Sequence, residues 1–240
     1  MLNANWLRLK FVKNWEDRIA VFDTETTGLA VNNARIVTSF VGVLGPNGVL
    51  EQSHRWLADP GIEIPLAASK IHGVTTEHAR EFGSEATKVV GEIRDLINSF
   101  FAENLPIVAF NASYDFSVLH HESIRHDLDP ITNPRPVIDP LVIDRAIDRY
   151  RKGKRTLETT AKHYKVPLEN SHQADSDAVA AGLIAQAIIR SQEDEVFKDP
   201  LLLHDQQVSW SKEWSASYQQ FRRSRGELDF SADGRWPLRL

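Results

Sequence analysis

The sequence predicts an α/β protein in which helices flank a mixed, five-stranded β-sheet. Three segments with strand-like patterns come first, joined by short connections, which favours three antiparallel strands. Farther along, short apolar segments alternate with segments of helical periodicity, which is typical of parallel strands joined by helices. The chain has 240 residues, of which 42% are hydrophobic, and this is enough for one sizeable core.

The first three strands are predicted at residues 18–22, 35–45 and 49–56. The first two segments are apolar, whereas the third mixes polar and apolar residues. Between the second and the third, the sequence PNG at residues 46–48 is a strong turn signal. We therefore expect the second and third strands to form a hairpin.

The second half of the sheet is predicted to alternate with helices. A helix at residues 84–101 has Val89, Ile93 and Ile97 at helical spacing, and the fourth strand follows at residues 105–110. The remaining predicted elements are a helix at residues 111–125, a fifth strand at residues 135–140, and helices at residues 141–150, 156–164 and 174–191.

Bulk composition excludes several classes of site. The chain has no cysteine, which removes disulfides, thiolate metal sites and cysteine nucleophiles. No apolar stretch approaches the roughly 18 residues of a membrane span. Residues 1–15 show no signal-peptide pattern, so we expect a cytoplasmic protein without a membrane partner. The net charge of −5 argues against a nucleic-acid partner, but two bound divalent cations would bring it to −1.

Acidic residues recur where a predicted strand ends or a helix begins. Asp23 and Glu25 end the first strand at i and i+2 spacing, so their side chains point to the same face. Asp115 follows the fourth strand, and Asp177 lies near the start of the helix at residues 174–191. In open α/β sheets such positions gather at one edge, where sites are usually built.

Four carboxylates in one place need compensation. Two unit charges about 5 Å apart repel by about 3 kcal/mol at an effective dielectric constant of roughly 20. Because carboxylate oxygens suit Mg²⁺ or Mn²⁺, the acids predict two such ions, an arrangement used for phosphodiester hydrolysis. His172, on the loop before Asp177, is a suitable general base. Asp175 is interpreted as an ordinary acid of a first helical turn.

Three motifs, taken in order, resemble those of a known family. The stretches FDTETTG, NASYD and HQADSD, the last with His-x4-Asp spacing, are similar to the three motifs of the DEDDh 3′–5′ exonucleases. This DnaQ-like family includes the proofreading epsilon subunit of bacterial DNA polymerase III. The segment IHGVT at residues 71–75 is similar to a stretch between the first and second motifs of that subunit. The resemblance covers residues 18–191.

The resemblance implies a ribonuclease H-like fold and a particular reaction. It implies stepwise release of nucleoside 5′-monophosphates from the 3′ end of single-stranded DNA or RNA. The cofactors it implies are two divalent cations, Mg²⁺ or Mn²⁺, and His172 is expected to deprotonate the attacking water. The implied metal ligands, which are also counted as catalytic, are Asp23, Glu25, Asp115 and Asp177.

The resemblance also implies a set of positions that contact or brace the terminal nucleotides. Thr26, Gly28 and Leu29 match the loop that touches the terminal nucleotide. His72 matches a histidine that approaches this nucleotide, and Tyr114 matches an aromatic position beside the terminal bases. Asn111 matches an asparagine that braces the second motif. Phe110 departs from the epsilon subunit, which has a polar residue before this asparagine.

The chain is predicted to divide into an exonuclease domain at residues 1–192 and a C-terminal extension at residues 193–240. In the extension, Trp210, Trp214 and Tyr218 recur at near-helical spacing. We expect this aromatic stripe to cover the apolar surface of its own domain. Stacking on nucleic-acid bases and docking to a DNA polymerase subunit are the alternatives.

Several functional hypotheses remain open from the sequence. The preferred one is a DNA-directed 3′–5′ exonuclease of proofreading or repair. An RNA-directed exonuclease is an alternative, because no residue identifies the fine geometry that senses a 2′-hydroxyl. A non-catalytic module that binds nucleic acid or a polymerase is disfavoured, since all five expected catalytic positions are filled. The basic segment at residues 149–155 is interpreted as a solvated connection, with phosphate binding as the alternative.

Overall fold

The computed structural model describes residues 14–168 and 173–240. Six strands form one sheet in the order β4-β3-β2-β1-β5-β6. The strands are β1 (Ile19–Thr26), β2 (Ile36–Leu44), β3 (Leu50–Asp59), β4 (Ser84–Glu85), β5 (Ile107–Val108) and β6 (Val137–Ile138). The pairs β1–β2 and β2–β3 are antiparallel, whereas the pairs β1–β5, β5–β6 and β3–β4 are parallel. The predicted mixed α/β sheet is confirmed.

The predicted number of five strands is wrong by one. The additional strand is β4, which the sequence analysis assigned to the first residues of a helix. Its two residues pair with Ala58 and Asp59 at the end of β3. A strand of two residues is too short to show an alternating pattern, so its pairing depends on where the following helix begins.

Eight helices lie within the described residues. They are α1 (Leu66–His72), α2 (Thr76–Phe82), α3 (Ala86–Ala102), α4 (Ser113–Arg125), α5 (Pro140–Ile147), α6 (Leu157–His163), α7 (Ala174–Arg190) and α8 (Pro200–Ser224). The helices α1 and α2 were not predicted, since seven residues give little periodicity. None of the described helices has both the length and the apolar character needed to cross a membrane.

The core lies on both faces of the sheet, and β1 contributes to each face in alternation. Phe22 faces α4, where its ring meets Phe116 edge to face with the ring centroids 5.5 Å apart. Val21 belongs to the opposite face, in a cluster with Ile184 of α7. Gly182 allows α7 to approach closely, because a Cβ there would lie 2.6 Å from Val21 Cγ1. These two faces determine which helix each later residue of β1 meets.

The C-terminal segment packs against the rest of the protein through α8. His204 Nδ1 lies 3.1 Å from the backbone N–H of Val137, which donates to it, and Gln207 Oε1 accepts from the N–H of Asp139 at 2.7 Å. Leu203 is fully buried in the core on the α7 side. The segment therefore covers the edge of the sheet at β6, in the way expected for a segment that packs on its own domain.

Candidate active site

The two faces of β1 carry different parts of the candidate site. Asp23 and Glu25 continue the face to which Ile19 and Val21 belong, so they lie on the α7 side of the sheet. Thr24 lies on the opposite face, toward α4. Because β1 is an interior strand between β2 and β5, the acids stand on the middle of the sheet rather than on a free edge.

Asp177 joins the two acids of β1. It lies in the first turn of α7, the helix that packs on this face. One carboxylate oxygen from each of Asp23, Glu25 and Asp177 lies within 4.8 Å of the other two. All three side chains are partly exposed, so a small ion can reach the group from solvent.

Asp115 lies next to these three acids, near the start of α4. It is only 3% exposed. Its Oδ1 accepts a hydrogen bond from the backbone N–H of Thr24 at 3.1 Å and another from Thr24 Oγ1 at 2.7 Å. These bonds orient the carboxylate, and its charge acts on both Asp23 and Glu25. The four acids predicted from the sequence are therefore neighbours in the structure.

The acids raise one another's pKa values. Burial, and then the charges of the three neighbouring acids, hold the pKa of Asp23 well above its usual range. Burial and the charges of Asp177 and Asp115 raise the pKa of Glu25 to about 8. Burial also raises the pKa of Asp115 to about 7, although the hydrogen bonds from Thr24 act in the opposite direction. Without a cation, this group is partly protonated near neutral pH.

The donor set fits a hard divalent cation. Within residues 14–168 and 173–240, no lysine or arginine forms an ion pair with Asp23, Glu25 or Asp115. The ligand atoms that these described acids offer are carboxylate oxygens, which suit Mg²⁺ and Mn²⁺. A bound divalent cation would offset the repulsion that raises the pKa values of these acids.

The loop that follows β1 is tied to α4 through Tyr114. The Tyr114 hydroxyl donates to the carbonyl oxygen of Gly28 at 2.5 Å and also makes a short hydrogen bond with Thr26 Oγ1. Thr26 Oγ1 lies 2.9 Å from the same carbonyl of Gly28, so its single proton is shared between this oxygen and the Tyr114 hydroxyl. Burial raises the pKa of Tyr114 to about 12, so its hydroxyl keeps its proton. Three of the predicted substrate-binding residues thus form one hydrogen-bonded unit.

Two other predicted residues flank this loop. Leu29 follows Gly28 and is 90% exposed, so its apolar side chain points into solvent close to the acids. His72 ends α1 and lies beside the backbone of Thr26. Its Nδ1 accepts from the N–H of Val74 at 3.2 Å, and burial lowers its pKa. His72 is therefore neutral at pH 7, with its other nitrogen carrying the proton.

Asp139, which the sequence analysis did not single out, holds the start of α4. Its carboxylate accepts hydrogen bonds from the backbone N–H groups of Asn111 at 3.0 Å and Ala112 at 2.9 Å. Asn111 adopts a left-handed backbone conformation with φ of 62°, which asparagine tolerates better than most residues. Trp236 Nε1 donates to the same carboxylate at 3.3 Å. The C-terminal segment thus reaches the second motif through one buried acid.

The sequence contains a partial signal for the missed residues. Asp139 precedes Pro140 at the start of α5, a pattern typical of a helix N-cap, and its Oδ1 does accept from the N–H of Leu141 at 2.9 Å. Thr24 lies between the two acids of the first motif. Because side chains alternate along a strand, the sequence predicts that Thr24 lies on the face opposite to these acids. No local signal connects Trp236 with the site.

The third motif is only partly within the described residues. His172, the predicted general base, lies outside them. Asp175 forms an ion pair with Arg55 at 3.0 Å and is not among the three clustered carboxylates, which agrees with its interpretation as an ordinary helical acid.

In the basic segment at residues 149–155, two arginines are engaged inside the protein, whereas Arg149, Lys152 and Lys154 are exposed. Arg151 and Arg155 both form ion pairs with Asp144, and Arg155 Nη1 lies 2.6 Å from its Oδ2. This arrangement favours a structural interpretation of Arg151 and Arg155 over a role in gripping phosphate.

A mixed α/β sheet with four neighbouring carboxylates, two on a central strand and two on adjacent helices, is an arrangement typical of nucleases. The chain belongs to the exonuclease family, whose family model matches residues 20–184. The resemblance to the DEDDh 3′–5′ exonucleases is confirmed. The matched region contains all of the acids described above and ends before α8.

Curated relatives are much longer proteins. The chain is 29% identical over 181 residues to a PolC-type DNA polymerase III of Streptococcus mutans, a match that covers 75% of this chain and 12% of the relative. It is 32% identical over 168 residues to the PolC-type DNA polymerase III of Streptococcus agalactiae, covering 70% of this chain and 11% of the relative. The chain thus spans about an eighth of the length of these relatives.

Solved structures of exonuclease I have the same fold. One structure of exonuclease I aligns with a TM-score of 0.63 at 19% identity and covers 75% of this chain and 42% of that chain. The crystal structure of Escherichia coli exonuclease I in complex with a dA16 oligonucleotide aligns with a TM-score of 0.61 at 18% identity, covering 79% and 42%. At this level of identity the comparison establishes the fold alone.

Proposed function

We propose that the protein is a metal-dependent 3′–5′ exonuclease that removes nucleoside 5′-monophosphates from single-stranded nucleic acid. The observation that carries this proposal is the group of three carboxylates within 4.8 Å, with Asp115 beside them. Membership of the exonuclease family supports the reaction. DNA is the favoured substrate, since the relatives are named DNA polymerase III and the fold neighbours include complexes with single-stranded DNA.

The proposed ligands of two divalent cations, Mg²⁺ or Mn²⁺, are Asp23, Glu25, Asp115 and Asp177. When bound, such cations supply positive charge that neutralises the acids, activates water and stabilises the leaving oxygen. The chain itself orients the acids. Thr24 directs Oδ1 of Asp115 through two hydrogen bonds, which leaves Oδ2 of this carboxylate available.

The remaining predicted residues are proposed to bind the nucleic-acid strand and to accept the proton of the attacking water. Tyr114, Thr26 and Gly28 hold the loop after β1 in one shape, against which the terminal nucleotide can rest. Leu29 offers an apolar side chain to a base, and His72, which lies beside the backbone of Thr26, is proposed to approach the terminal nucleotide. His172 is proposed to take the proton from the attacking water.

The test is cleavage of matched DNA and RNA oligonucleotides, single-stranded and paired, each labelled at the 5′ end. With Mg²⁺ the expected products shorten by one nucleotide at a time, and single-stranded DNA disappears fastest. Asp23→Asn should abolish the reaction, whereas Asp175→Asn, a paired acid nearby, should leave most of it. Cleavage that continues in excess EDTA, or an inert parent protein, would contradict the proposal. Faster loss of RNA would reassign the substrate.

The names of the curated relatives also suggest a partner. We infer that a replicative DNA polymerase is a candidate, because the similar region in those relatives is part of a PolC-type polymerase chain. Co-purification of the tagged full chain with a purified polymerase subunit tests this, and the absence of a complex at micromolar concentration would reject it.

A further inference from the structure

A cavity of about 150 Å³ lies between α5 and α8, away from the clustered acids. One wall is formed by α5 and the other by the C-terminal helix, which lies beyond the part of the chain that matches the exonuclease family. The lining residues that matter here are Arg145, Arg149, Trp214, Ser211, Ser217 and Glu213. The cavity is therefore a feature that the C-terminal segment adds to the family fold.

Arg145, in the wall of this cavity, is a partly buried cation that stacks on an aromatic ring. Its guanidinium lies 3.7 Å from the centroid of the Trp214 ring, and its side chain is partly buried. Among the described residues it forms no ion pair with an acid, whereas Arg151 and Arg155 of the following segment share Asp144. Burial lowers the pKa of Arg145, which shows that its charge is less well solvated than usual.

The remaining lining residues suit an anion. Arg149 is exposed at the rim, and its Nη2 lies 3.5 Å from Ser217 Oγ. Ser211 and Ser217 add hydroxyl donors. Glu213 contributes the opposing charge, so the lining retains one net positive charge. A planar guanidinium beside hydroxyl groups matches the oxygens of a phosphate group.

The cavity is connected to the candidate site by a short path through the fold. The helix α5 begins directly after Asp139, whose carboxylate holds Asn111 and Ala112 at the start of α4. Asp115 lies three residues farther along that helix. Asp139 also interacts electrostatically with both Arg145 and Asp115, so one buried acid lies between the cavity wall and the start of α4.

We propose that the cavity between α5 and α8 binds a phosphate group of the nucleic-acid strand whose 3′ end lies at the acids. This inference rests on the proposed exonuclease function, and it assigns the C-terminal helix a role in holding the strand upstream of the cut. Each phosphate that a cation neutralises releases counterions, so the contact has a measurable salt dependence.

The experiment measures binding of a fluorescent single-stranded 20-mer by anisotropy over a range of salt concentrations. The full chain carries Asp115→Asn, so that the strand survives, and a gel confirms that the probe is intact. Arg145→Gln is expected to weaken binding about tenfold, as for a lost charge-assisted hydrogen bond. The magnitude of the negative slope of log binding constant against log salt concentration should decrease by about 0.7. Arg149→Gln should act in the same direction.

Two controls separate the cavity from general charge effects. Arg18→Gln makes the same charge change at the start of β1, where Arg18 pairs with Glu51 at 3.2 Å, and should leave the slope unchanged. A dinucleotide has a single internal phosphate, which the proposal places at the acids, so it should bind all variants equally. Thermal unfolding verifies that each variant is folded. If Arg145→Gln does not fold, the salt dependence of the Arg149→Gln variant, whose changed side chain is exposed, tests the inference instead.

Unchanged slopes for both glutamine variants would overturn the inference, while normal cleavage by the parent chain would leave the proposed function standing. An inert parent chain would overturn the proposed function whatever the slopes.

The second arm of the experiment uses inorganic phosphate alone. If phosphate raises the melting temperature and Arg145→Gln removes this rise without changing strand affinity, the cavity takes free phosphate and the strand assignment is wrong.

Discussion

Asp144 and the acids at the end of β1 are both carboxylates inside the protein, but their surroundings differ. Asp144 is fully buried, and it contacts Arg151, Arg155 and the Tyr164 hydroxyl, the last at 2.9 Å. The acids around Asp23 repel one another, and their pKa values are raised. Within the described residues, Asp144 pairs with two arginines, whereas Asp23, Glu25 and Asp115 form no ion pair with a lysine or an arginine.

The presence or absence of paired cations distinguishes acids with a structural role from acids that are candidates for binding a metal ion. A buried carboxylate with two arginines is satisfied by the chain itself, and removing its charge leaves two partly buried cations with weaker compensation. A group of carboxylates without such cations is stabilised only by protons or by metal ions. Asp139 shows a third solution, because backbone N–H groups and the Trp236 indole satisfy its carboxylate.

The largest expected effect is the loss of catalysis in Asp115→Asn. The amide removes one negative charge from the proposed metal ligands, so kcat should fall on the order of a thousandfold or more, as for other essential catalytic groups. In EDTA the same variant should unfold at a higher temperature than the parent near pH 8, because repulsion is relieved. Activity assays and thermal unfolding measure both effects. Lower stability together with full activity would remove Asp115 from the site.

The opposite pattern is expected for Asp144→Asn. This change leaves Arg151 and Arg155 without their shared carboxylate, so the free energy of unfolding should fall by about 3–5 kcal/mol. The activity per folded molecule should be nearly unchanged, because Asp144 lies among structural ion pairs. Urea denaturation and active-site titration measure the two quantities. If kcat falls while stability is preserved, the division between the two regions is mistaken.

The candidate acids were predictable because each depends on local pattern. Asp23 and Glu25 follow an apolar strand at i and i+2 spacing, which determines that they share a face. Asp115 and Asp177 occupy first turns of helices that follow strands or loops, where the acids of an α/β site gather. Local propensity and the hydrophobic pattern place these four residues on their strand and helices, and the family motifs select Asp177 over its neighbour Asp175.

Other features depend on tertiary packing and left no local signal. The bond between Trp236 and Asp139 joins residues 97 positions apart. The strand β4 has two residues and exists because β3 offers it a partner at Ala58 and Asp59. The pairing of Arg151 and Arg155 with Asp144 could not be separated by sequence from a solvated basic loop. Such contacts arise only when distant segments meet.

A smaller effect is expected in the pH dependence of stability without metal. The folded pKa of Glu25 is about 8 and that of Asp115 is about 7, whereas the unfolded chain titrates near its ordinary values. Between these values the folded protein binds more protons than the unfolded chain. Its free energy of unfolding should therefore fall as pH rises from about 4 to about 8. Urea denaturation in EDTA across this range measures the decline.

Mg²⁺ provides the control for this titration. At pH 8 the cation should restore stability to the parent protein and should do less for Asp115→Asn, which has lost a proposed ligand. At pH 5, where the acids hold protons, the same Mg²⁺ concentration should have little effect. Equal stabilisation at both pH values would indicate binding elsewhere on the protein.

The smallest expected effect tests whether the C-terminal segment acts on the site through Asp139. Trp236→Phe removes the indole N–H that donates to Asp139 at 3.3 Å but keeps most of the ring packing. Stability should fall by about 1 kcal/mol, the usual net value of one hydrogen bond. Because the carboxylate of Asp139 holds the start of α4, kcat should also fall severalfold, with KM for the strand little changed.

Trp15→Phe is the matched control for this change. It deletes an equivalent indole hydrogen bond, from Trp15 Nε1 to the Phe197 carbonyl at 2.9 Å, in a part of the molecule that does not contact Asp139. Its loss of stability should be similar, while kcat should stay at the parent value. Equal kcat values for the two variants would mean that the bond from Trp236 to Asp139 stabilises the fold without positioning Asp115, and that the site depends on β1 and α4 alone.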